Sequence, residues 1–300
     1  MLDTPAAEPV TQLQIDQRVF DLYDEYCHGR LDRREFLARS AAVCAMGLVM
    51  AQALLPRYAE AQTIQFTDPR IKGEYVAYSS PGGNSQIMRG YLVVPQGKPG
   101  PFPAVVVIHE NRGLNPYIED VARRLAAEGF LALAPDGLWP VGGYPGNDDD
   151  GRQLQGSLDQ QKLRIDLLNG ARWVKSHKLS SGKLGAVGFC FGGSVVNFFA
   201  WQMGDELQAG VPFYGAAAPT AEVPKIHAGL LLHFAENDAN INGLWPTYEA
   251  ALKAAGVRYE AYTYPGTQHG FHNNSTPRYN EAAANLAWQR TISHFRKYLS

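Results

Sequence analysis

Three residues of this sequence have the types and the order that nucleophilic catalysis at a carbonyl requires. Cys190 lies in the run GFCFG, residues 188–192, between a predicted strand and a predicted helix. Asp238 follows a later predicted strand, and His269 follows the last one. A thiol becomes a nucleophile when an imidazole takes its proton, and a carboxylate on the other imidazole nitrogen fixes the tautomer. The order cysteine, aspartate, histidine therefore predicts an acyl-transfer triad.

The glycines around Cys190 favour a tight turn from strand to helix. In such a turn the residues two before and two after the nucleophile must be small, as Gly188 and Gly192 are. The side chain then points at the N-terminus of the helix, whose partial positive charge favours a thiolate. The N–H of Phe191 is expected to donate to an oxyanion. An isolated cysteine is more often a buried apolar residue, but the flanking pattern favours the catalytic interpretation.

Other histidines and carboxylates are weaker candidates because of their positions. His233 lies within a predicted buried strand and is expected in the core, whereas three others are expected at solvated positions: His177, His227 and His294. Glu236 is a possible substitute for Asp238, and His272 is either a pocket residue or a surface residue. Since no histidine–carboxylate cluster has a zinc-ligand spacing such as HExxH, we expect no metal and no cofactor.

Short β-branched runs alternate with helical segments from residue 71 onward, which predicts an α/β fold with a mostly parallel sheet. The predicted strands are 74–78, 89–94, 104–109, 131–135, 184–187, 209–213, 230–234 and 259–264. The predicted helices are 116–129, 160–177, 191–203, 246–255 and 280–298, and segment 136–151 is expected to be a loop. Cys190, Asp238 and His269 then lie at carboxyl ends of strands, where sites of such sheets collect.

The first 61 residues follow a different pattern. The run DRRE at 32–35 precedes an uncharged stretch at 40–56, and Ala-Glu-Ala at 59–61 fits small-x-small cleavage. This order resembles a twin-arginine export signal cleaved after Ala61, which predicts a periplasmic or exported protein. The uncharged stretch is short for a membrane span, so no stable span is expected. The alternative is a helical extension retained on a cytoplasmic enzyme. We therefore divide the chain into 1–61 and 62–300.

The composition of the chain excludes several classes of protein. With 300 residues, a formal charge of −2, 45% hydrophobic and 19% charged residues, it is an ordinary globular protein, and no nucleic acid partner is expected. The cysteines, Cys27, Cys44 and Cys190, are too far apart for a CxxC pair or a disulfide scaffold. Removal of the leader would leave Cys190 as the sole thiol, so a redox-sensing role is a further possibility.

Several motifs together resemble those of the dienelactone hydrolases, also called carboxymethylenebutenolidases. The resemblance extends from about residue 70 to the C-terminus, with GFCFGG at 188–193, END at 236–238, GTQHGF at 266–271 and HENRG at 109–113. It implies an α/β-hydrolase fold and hydrolysis of an ester or lactone through an acyl-enzyme. It also implies that Glu110 hydrogen-bonds the resting thiol and helps to form the thiolate when substrate binds. The N–H of Asn111 would be the second oxyanion donor.

The sequence departs from this family where a substrate carboxylate would bind. Family members that act on chlorocatechol-pathway lactones have an arginine after the fourth strand and another just beyond the catalytic histidine. Here these places read DGLWP at 136–140 and FHNN at 271–274, which argues against dienelactone itself as the substrate. Arg112 or Arg278 could replace the missing arginines. Further candidates for the pocket are Tyr117, Trp139, Tyr144 and His272, although the aromatic residues could simply pack the loop.

We therefore expect a hydrolase that acts on a small-molecule ester or lactone. The same triad could instead cleave a thioester or an amide. A non-catalytic exported binding protein would keep the fold and its pocket, but it would have no need of all three triad residues. The sequence carries no indication of the oligomeric state.

Overall fold

One eight-stranded sheet organises residues 61–300 in the computed structural model, which describes residues 15–27, 31–55 and 61–300. The strands are β1 (Ile71–Ser79), β2 (Ile87–Pro95), β3 (Phe102–Ile108), β4 (Leu131–Pro135), β5 (Ser180–Phe189), β6 (Ala209–Phe213), β7 (Gly229–Asn237) and β8 (Tyr259–Gln268). Their order is β1-β2-β4-β3-β5-β6-β7-β8. The pairs β1–β2 and β2–β4 are antiparallel and the rest are parallel, so strands β3 to β8 all end at one edge.

Helices cover both faces of this sheet. They are α1 (Gln17–Cys27), α2 (Arg33–Val43), α3 (Gly47–Ala53), α4 (Pro116–Ala127), α5 (Asp148–Ser157), α6 (Gln160–Lys175), α7 (Phe191–Met203), α8 (Ala239–Asn242), α9 (Trp245–Ala254) and α10 (Glu281–Leu299). Val106 of β3 packs with residues of α6, α7 and α9, whereas its neighbour Val105 packs with residues of α4 and α10. Successive strand residues point to opposite faces, so a strand buried on both faces must be apolar throughout.

Helices α1 to α3 form a small unit with its own apolar core, which we call the N-terminal segment (residues 15–55). Tyr23, Phe36 and Leu54 are fully buried in this core. Asp32 and Glu35 form a capping box at the start of α2. A Cβ at Gly47 would lie 1.8 Å from the carbonyl oxygen of Ser40, so glycine lets α3 cross closely over α2. The uncharged stretch of the predicted export signal is therefore packed in helices.

The membrane and export predictions concern this same segment. None of the described helices combines the length and the apolar character that a bilayer crossing needs. Ala59 and Glu60 of the predicted cleavage site, and residues 1–14 ahead of α1, lie outside the described residues. Export and cleavage therefore stay predictions.

The prediction of a loop over residues 136–151 was wrong at residues 139–141 and at its last four residues, 148–151. A short 3₁₀ turn covers Trp139–Val141, and α5 begins at Asp148. Asn147 caps this helix by accepting a hydrogen bond from Asp150 N–H at 2.9 Å. The run of aspartates that indicated a loop is the acidic first turn of a helix, where negative charge is stabilised by the helix dipole.

The histidines outside the site fall into two groups. His233 is a core residue as predicted, with Tyr264 Oη at 2.9 Å and Thr291 Oγ1 at 3.1 Å from its ring nitrogens. The prediction of a solvated His294 was wrong, because this residue is on the buried face of α10, 3.0 Å from the carbonyl oxygen of Gly229. Burial lowers the pKa of both. His177 is half-buried and His227 is exposed.

Candidate active site

Cys190 lies on the turn between β5 and α7 with φ 55° and ψ −114°, a region that only glycine adopts without strain. A Cβ at Gly188 would lie 2.2 Å from the carbonyl oxygen of Gly192. A Cβ at Gly192 would lie 2.3 Å from the carbonyl oxygen of Ile108 at the end of β3. The turn therefore has the backbone geometry of a nucleophile elbow, with no room for side chains where the three elements meet.

Gly192→Ala tests this close approach. The added methyl would meet backbone atoms of β3 that cannot move aside, so we expect a loss of about 2–4 kcal/mol in the free energy of unfolding. Gly156→Ala in α5 is the matched control, because nothing lies within 4 Å of its added Cβ. That variant should be neutral or slightly stabilising. Urea denaturation measures both, and equal midpoints for the two variants would contradict the packing described.

His269 and Asp238 meet at the ends of β8 and β7. The Nδ1 atom of His269 is 2.6 Å from Asp238 Oδ2, and both residues are 3% exposed. Asp238 Oδ1 also accepts a hydrogen bond from Ile241 N–H at 3.3 Å, which fixes the carboxylate at the start of α8. Glu236, the alternative acid, is exposed and accepts a hydrogen bond from Gly266 N–H at 2.7 Å instead. The structure therefore pairs the imidazole with Asp238.

The pKa of His269 reflects both its burial and its charged neighbours. Burial alone would lower this pKa, but the Asp238 carboxylate and the Cys190 side chain raise it well above its ordinary value. The positively charged imidazolium is thus favoured between the two groups. Such an arrangement can accept a proton from a thiol and hold the resulting thiolate.

Glu110 and two backbone N–H groups surround the elbow from the β3 side. Glu110 is 4% exposed, and its Oε2 atom accepts a hydrogen bond from Asn273 Nδ2 at 3.1 Å. Asn111 and Phe191 line a cavity of about 470 Å³. Phe191 is the first residue of α7, where an N–H has no partner inside the helix. The structure thus brings the two predicted oxyanion residues to one cavity.

Comparison of the sequence with models of protein families identifies the family of this chain. The model of the dienelactone hydrolase family matches residues 88–299. The chain belongs to this family. Dienelactone hydrolases are hydrolases of ester and lactone bonds, in agreement with the function expected from the motifs.

Individual relatives of this dienelactone hydrolase agree with the family assignment. A protein of Escherichia coli (strain K12), provisionally named a carboxymethylenebutenolidase, is 31% identical over 251 residues, which are 78% of this chain and 90% of the relative. A hydrolase fragment of the same organism, provisionally named YghX, is 61% identical over 112 residues, 37% of this chain and 95% of the fragment. The crystal structure of a provisionally assigned dienelactone hydrolase from Klebsiella pneumoniae has 28% identity and a TM-score of 0.65, covering 75% of this chain and 100% of that one.

The two arginines considered for substrate binding lie in different surroundings. Arg112 is buried with Asp148, at 2.7 Å between Nη1 and Oδ2, and Tyr144 donates to the same carboxylate at 2.9 Å. Arg278 lies beside the triad of this dienelactone hydrolase, where it donates to the carbonyl oxygen of His269. Its guanidinium also lies 4.4 Å from the centre of the Tyr23 ring. The structure thus brings Arg278 to the site and pairs Arg112 with a carboxylate.

The remaining aromatic candidates for substrate binding lie either in the core or at the protein surface. The Tyr117 hydroxyl is 2.7 Å from His272 Nδ1, and both residues are buried. The His272 ring packs on Phe189 with ring centres 5.2 Å apart, so it lies in the core and burial lowers its pKa well below the ordinary value. Trp139 is 38% exposed and lies 4.5 Å below the Arg89 guanidinium.

Sequence reasoning missed the contribution of the N-terminal segment. Helix α1 forms one side of a cavity of about 980 Å³ whose other side includes Asp238, His269 and Arg278. Leu31 borders the smaller cavity at Asn111 and Phe191. A second family model, described as YqhI-like, matches residues 8–43 and so covers much of this segment. The amphipathic pattern of α1 could have predicted a helix with a buried face, but not the surface that it covers.

Within the part of the chain that the structure describes, no three histidine, cysteine, aspartate or glutamate side chains are grouped so that they could hold a metal ion.

Proposed function

We propose that the protein hydrolyses an ester or lactone through attack by the Cys190 thiolate, with His269 as base and acid and Asp238 as its orienting partner. The observation that carries this proposal is the arrangement of the three side chains. The Asp238 carboxylate is 2.6 Å from one imidazole nitrogen of His269, and the Cys190 side chain is close enough to the same imidazole to raise its pKa. The strained elbow presents the sulfur at the N-terminus of α7.

The reaction proceeds in two halves. In the first, the Cys190 sulfur forms a bond to the carbonyl carbon, and the carbonyl oxygen becomes an oxyanion held by the N–H groups of Phe191 and Asn111. The C–O bond to the leaving group then breaks, and the imidazolium of His269 gives its proton to the departing oxygen. In the second half His269 takes a proton from water, and the hydroxide formed attacks the thioester. The acid leaves and the Cys190 thiolate is restored.

Glu110 is proposed to control the state of the thiol. A buried carboxylate beside a thiol holds it in the protonated form by accepting its hydrogen bond and by opposing a second negative charge. Two observations support this role, because both fix the position of the Glu110 carboxylate. Glu110 is buried at the end of β3, and Asn273 holds its carboxylate from one side. Binding of a substrate carbonyl would then displace the carboxylate, which takes the thiol proton with it as a neutral carboxyl group and leaves the Cys190 thiolate.

The proposed substrate is an ester or lactone without a carboxylate group. The family positions that bind a substrate carboxylate have no arginine in this chain. Arg112 does not restore this charge, since its guanidinium is 2.7 Å from the buried carboxylate of Asp148. The guanidinium of Arg278 is engaged by the carbonyl oxygen of His269 and by the Tyr23 ring. A carboxylate needs a cationic partner when it leaves water, so an anionic lactone such as dienelactone would bind poorly.

The test is intact-protein mass spectrometry after brief incubation with aryl esters, simple lactones, thioesters and amides. We expect a transient mass increase that equals the acyl group, and peptide mapping should place it on Cys190. The relative kcat/KM values across the panel separate an esterase from a thioesterase or an amidase. The absence of both adduct and turnover over the whole panel would contradict the proposal and favour a binding protein of the same fold.

Export is a separate proposal, which rests on Arg33 and Arg34 ahead of the uncharged stretch. It is tested by fractionating cells that express the full chain and by weighing the intact protein. Cleavage after Ala61 would give a periplasmic chain that begins at Gln62. Recovery of the complete chain from the cytoplasm would contradict export and would leave helices α1 to α3 on the enzyme.

A further inference from the structure

Helix α1 is fixed against the edge of the sheet that carries His269. The side-chain amides of Gln17 and Gln268 exchange two hydrogen bonds, at 2.7 and 3.3 Å. Gln268 is the last residue of β8 and directly precedes His269. Six residues further along α1, the Tyr23 ring lies under the guanidinium of Arg278, which donates to the carbonyl oxygen of His269. The helix therefore contacts both residues that flank the imidazole backbone.

The N-terminal segment is also fixed on the opposite side of the elbow. Arg152 of α5 donates to the carbonyl oxygen of Tyr26 at 2.6 Å and to that of Leu31 at 2.9 Å. Its guanidinium lies 4.4 Å from the centre of the Tyr26 ring. Arg33 forms an ion pair with Asp149 at 2.6 Å. Contacts on two sides hold α1 as a roof across the cleft.

Residues of the N-terminal segment border two cavities near the site. The cavity of about 470 Å³ contains the two proposed oxyanion donors, Asn111 and Phe191. The cavity of about 980 Å³ contains His269. In acyl transfer the general acid must reach the oxygen of the leaving group, so the alcohol part of an ester lies on the side of the histidine. The larger cavity is therefore the place for the alcohol, and its outer wall is α1.

The charges that line this larger cavity are predominantly negative. Asp21 and Glu25 of α1 face Glu236 across it. Arg18 also lines the cavity, but its guanidinium forms an ion pair with Asp16 at 2.7 Å. Arg278 lines the cavity too, with its guanidinium 4.4 Å from the centre of the Tyr23 ring, as do Asp238 and His269, so four carboxylates face two guanidinium groups and the imidazole. An anionic alcohol would meet carboxylates on both walls, whereas a cationic one would be attracted to them.

We propose that α1 forms the outer wall of the leaving-group subsite and that this subsite takes neutral or cationic alcohols in preference to anionic ones. The proposal rests on the proposed hydrolysis at Cys190. It makes the N-terminal segment a part of the substrate site of the full-length enzyme, so cleavage after Ala61 would remove one wall of that site.

The size of the subsite is tested with Leu22, which lines the cavity and is half-buried. Two ester series are compared in the full chain, one with a constant acetyl group and a varied alcohol, and one with a constant para-nitrophenol and a varied acyl group. Leu22→Trp should lower kcat/KM for naphthyl acetate by about 10-fold and leave methyl acetate nearly unchanged. Leu22→Ala should shift the preference towards bulky alcohols. Val49→Ala is the matched control, since Val49 is 43% exposed on α3.

The charge of the subsite is tested with Asp21, an exposed residue that accepts a hydrogen bond from Gln17 at 2.9 Å. The probes are meta-trimethylammoniophenyl acetate and meta-carboxyphenyl acetate. The unmodified enzyme should prefer the cationic ester, and Asp21→Lys should lower the ratio of the two kcat/KM values by about 3- to 10-fold. Asp21→Asn, which keeps an acceptor for Gln17, should lower it less. High salt should reduce all of these differences.

The outcomes separate this proposal from the proposed function. An enzyme that hydrolyses simple acetates but whose alcohol selectivity is unchanged in the Leu22 and Asp21 variants overturns the role of α1. So does a Leu22 effect that falls equally on the acyl series. A protein that hydrolyses none of the esters overturns the proposed hydrolysis instead. Melting curves of each variant exclude a loss of folding as the cause.

Discussion

Cys190→Ala is expected to lower kcat for ester hydrolysis by a factor on the order of 10⁴ to 10⁶. The alanine methyl cannot form the acyl-enzyme, and the two N–H donors can then only polarise a carbonyl that no sulfur attacks. The fold should survive the change, because Cys190 is only half-buried and the substitution removes a single heavy atom. Any residual rate would reflect direct attack by water.

Steady-state kinetics and intact mass measure the effect of Cys190→Ala together. Loss of turnover and of the acyl adduct, with an unchanged melting temperature, is the expected result. Cys44→Ala serves as the control, since Cys44 is also a half-buried free thiol but belongs to the N-terminal segment. It should retain full activity. Turnover by Cys190→Ala at the rate of the unmodified enzyme would remove Cys190 from the mechanism.

Asp238→Asn should lower kcat by a factor on the order of 10³ to 10⁴. The carboxylate holds the proton of the imidazole on Nδ1 and stabilises the imidazolium, and an amide does neither as well. Because Asp238 and Cys190 together raise the pKa of His269, loss of the carboxylate should bring that pKa down. The thiolate of Cys190 would then form only at higher pH.

The pH dependence of alkylation by iodoacetamide reports this change directly. Its midpoint should move to higher pH in Asp238→Asn, because the imidazolium that stabilises the thiolate is itself less stable. Glu236→Gln is the matched control, since that carboxylate bonds Gly266 N–H rather than His269. An identical midpoint in the unmodified enzyme, Asp238→Asn and Glu236→Gln would show that Asp238 does not raise the pKa of His269.

The pairing of His269 with Asp238 also determines how the stability of the protein depends on pH. A histidine whose pKa is raised on folding stabilises the protein fully below its unfolded pKa, here close to 6.5, and loses this contribution as the pH rises through the folded value. The difference in free energy of unfolding between the unmodified protein and Asp238→Asn should therefore shrink towards alkaline pH. A difference that grows with pH would contradict the raised pKa.

The sequence allowed the sheet and the triad positions to be predicted because each depends on a local pattern. Strand β3 is apolar at every position because both of its faces are buried, and this run is visible without any tertiary information. The glycines at 188 and 192 are demanded by contacts of the elbow backbone. Asp238 and His269 follow strands directly, so the predicted ends of β7 and β8 brought them to the same edge.

Features that depend on distant partners could not be predicted. The buried face of α10 includes His294, whose partner Gly229 is 65 positions away. The N-terminal segment docks through Gln17 and Gln268, which are 251 positions apart. No local pattern in either region indicates such a partner. The aspartates at the start of α5 carried a local signal, that of a capped helix, but their composition favoured a loop.

The separation of Gln17 and Gln268 has a consequence for how the molecule is assembled. The N-terminal segment is synthesised first and can fold on its own core, but the strand that receives it is the last of the sheet. Bringing Gln17 to Gln268 closes a loop of 251 positions, which is slow and costs chain entropy. The contacts that offset this cost cannot form until β8 is in place. Docking of α1 on β8 therefore cannot be completed before the last strand has been made, and until then the cleft has no roof on that side. Reagents that modify thiols should reach Cys190 most readily at that moment.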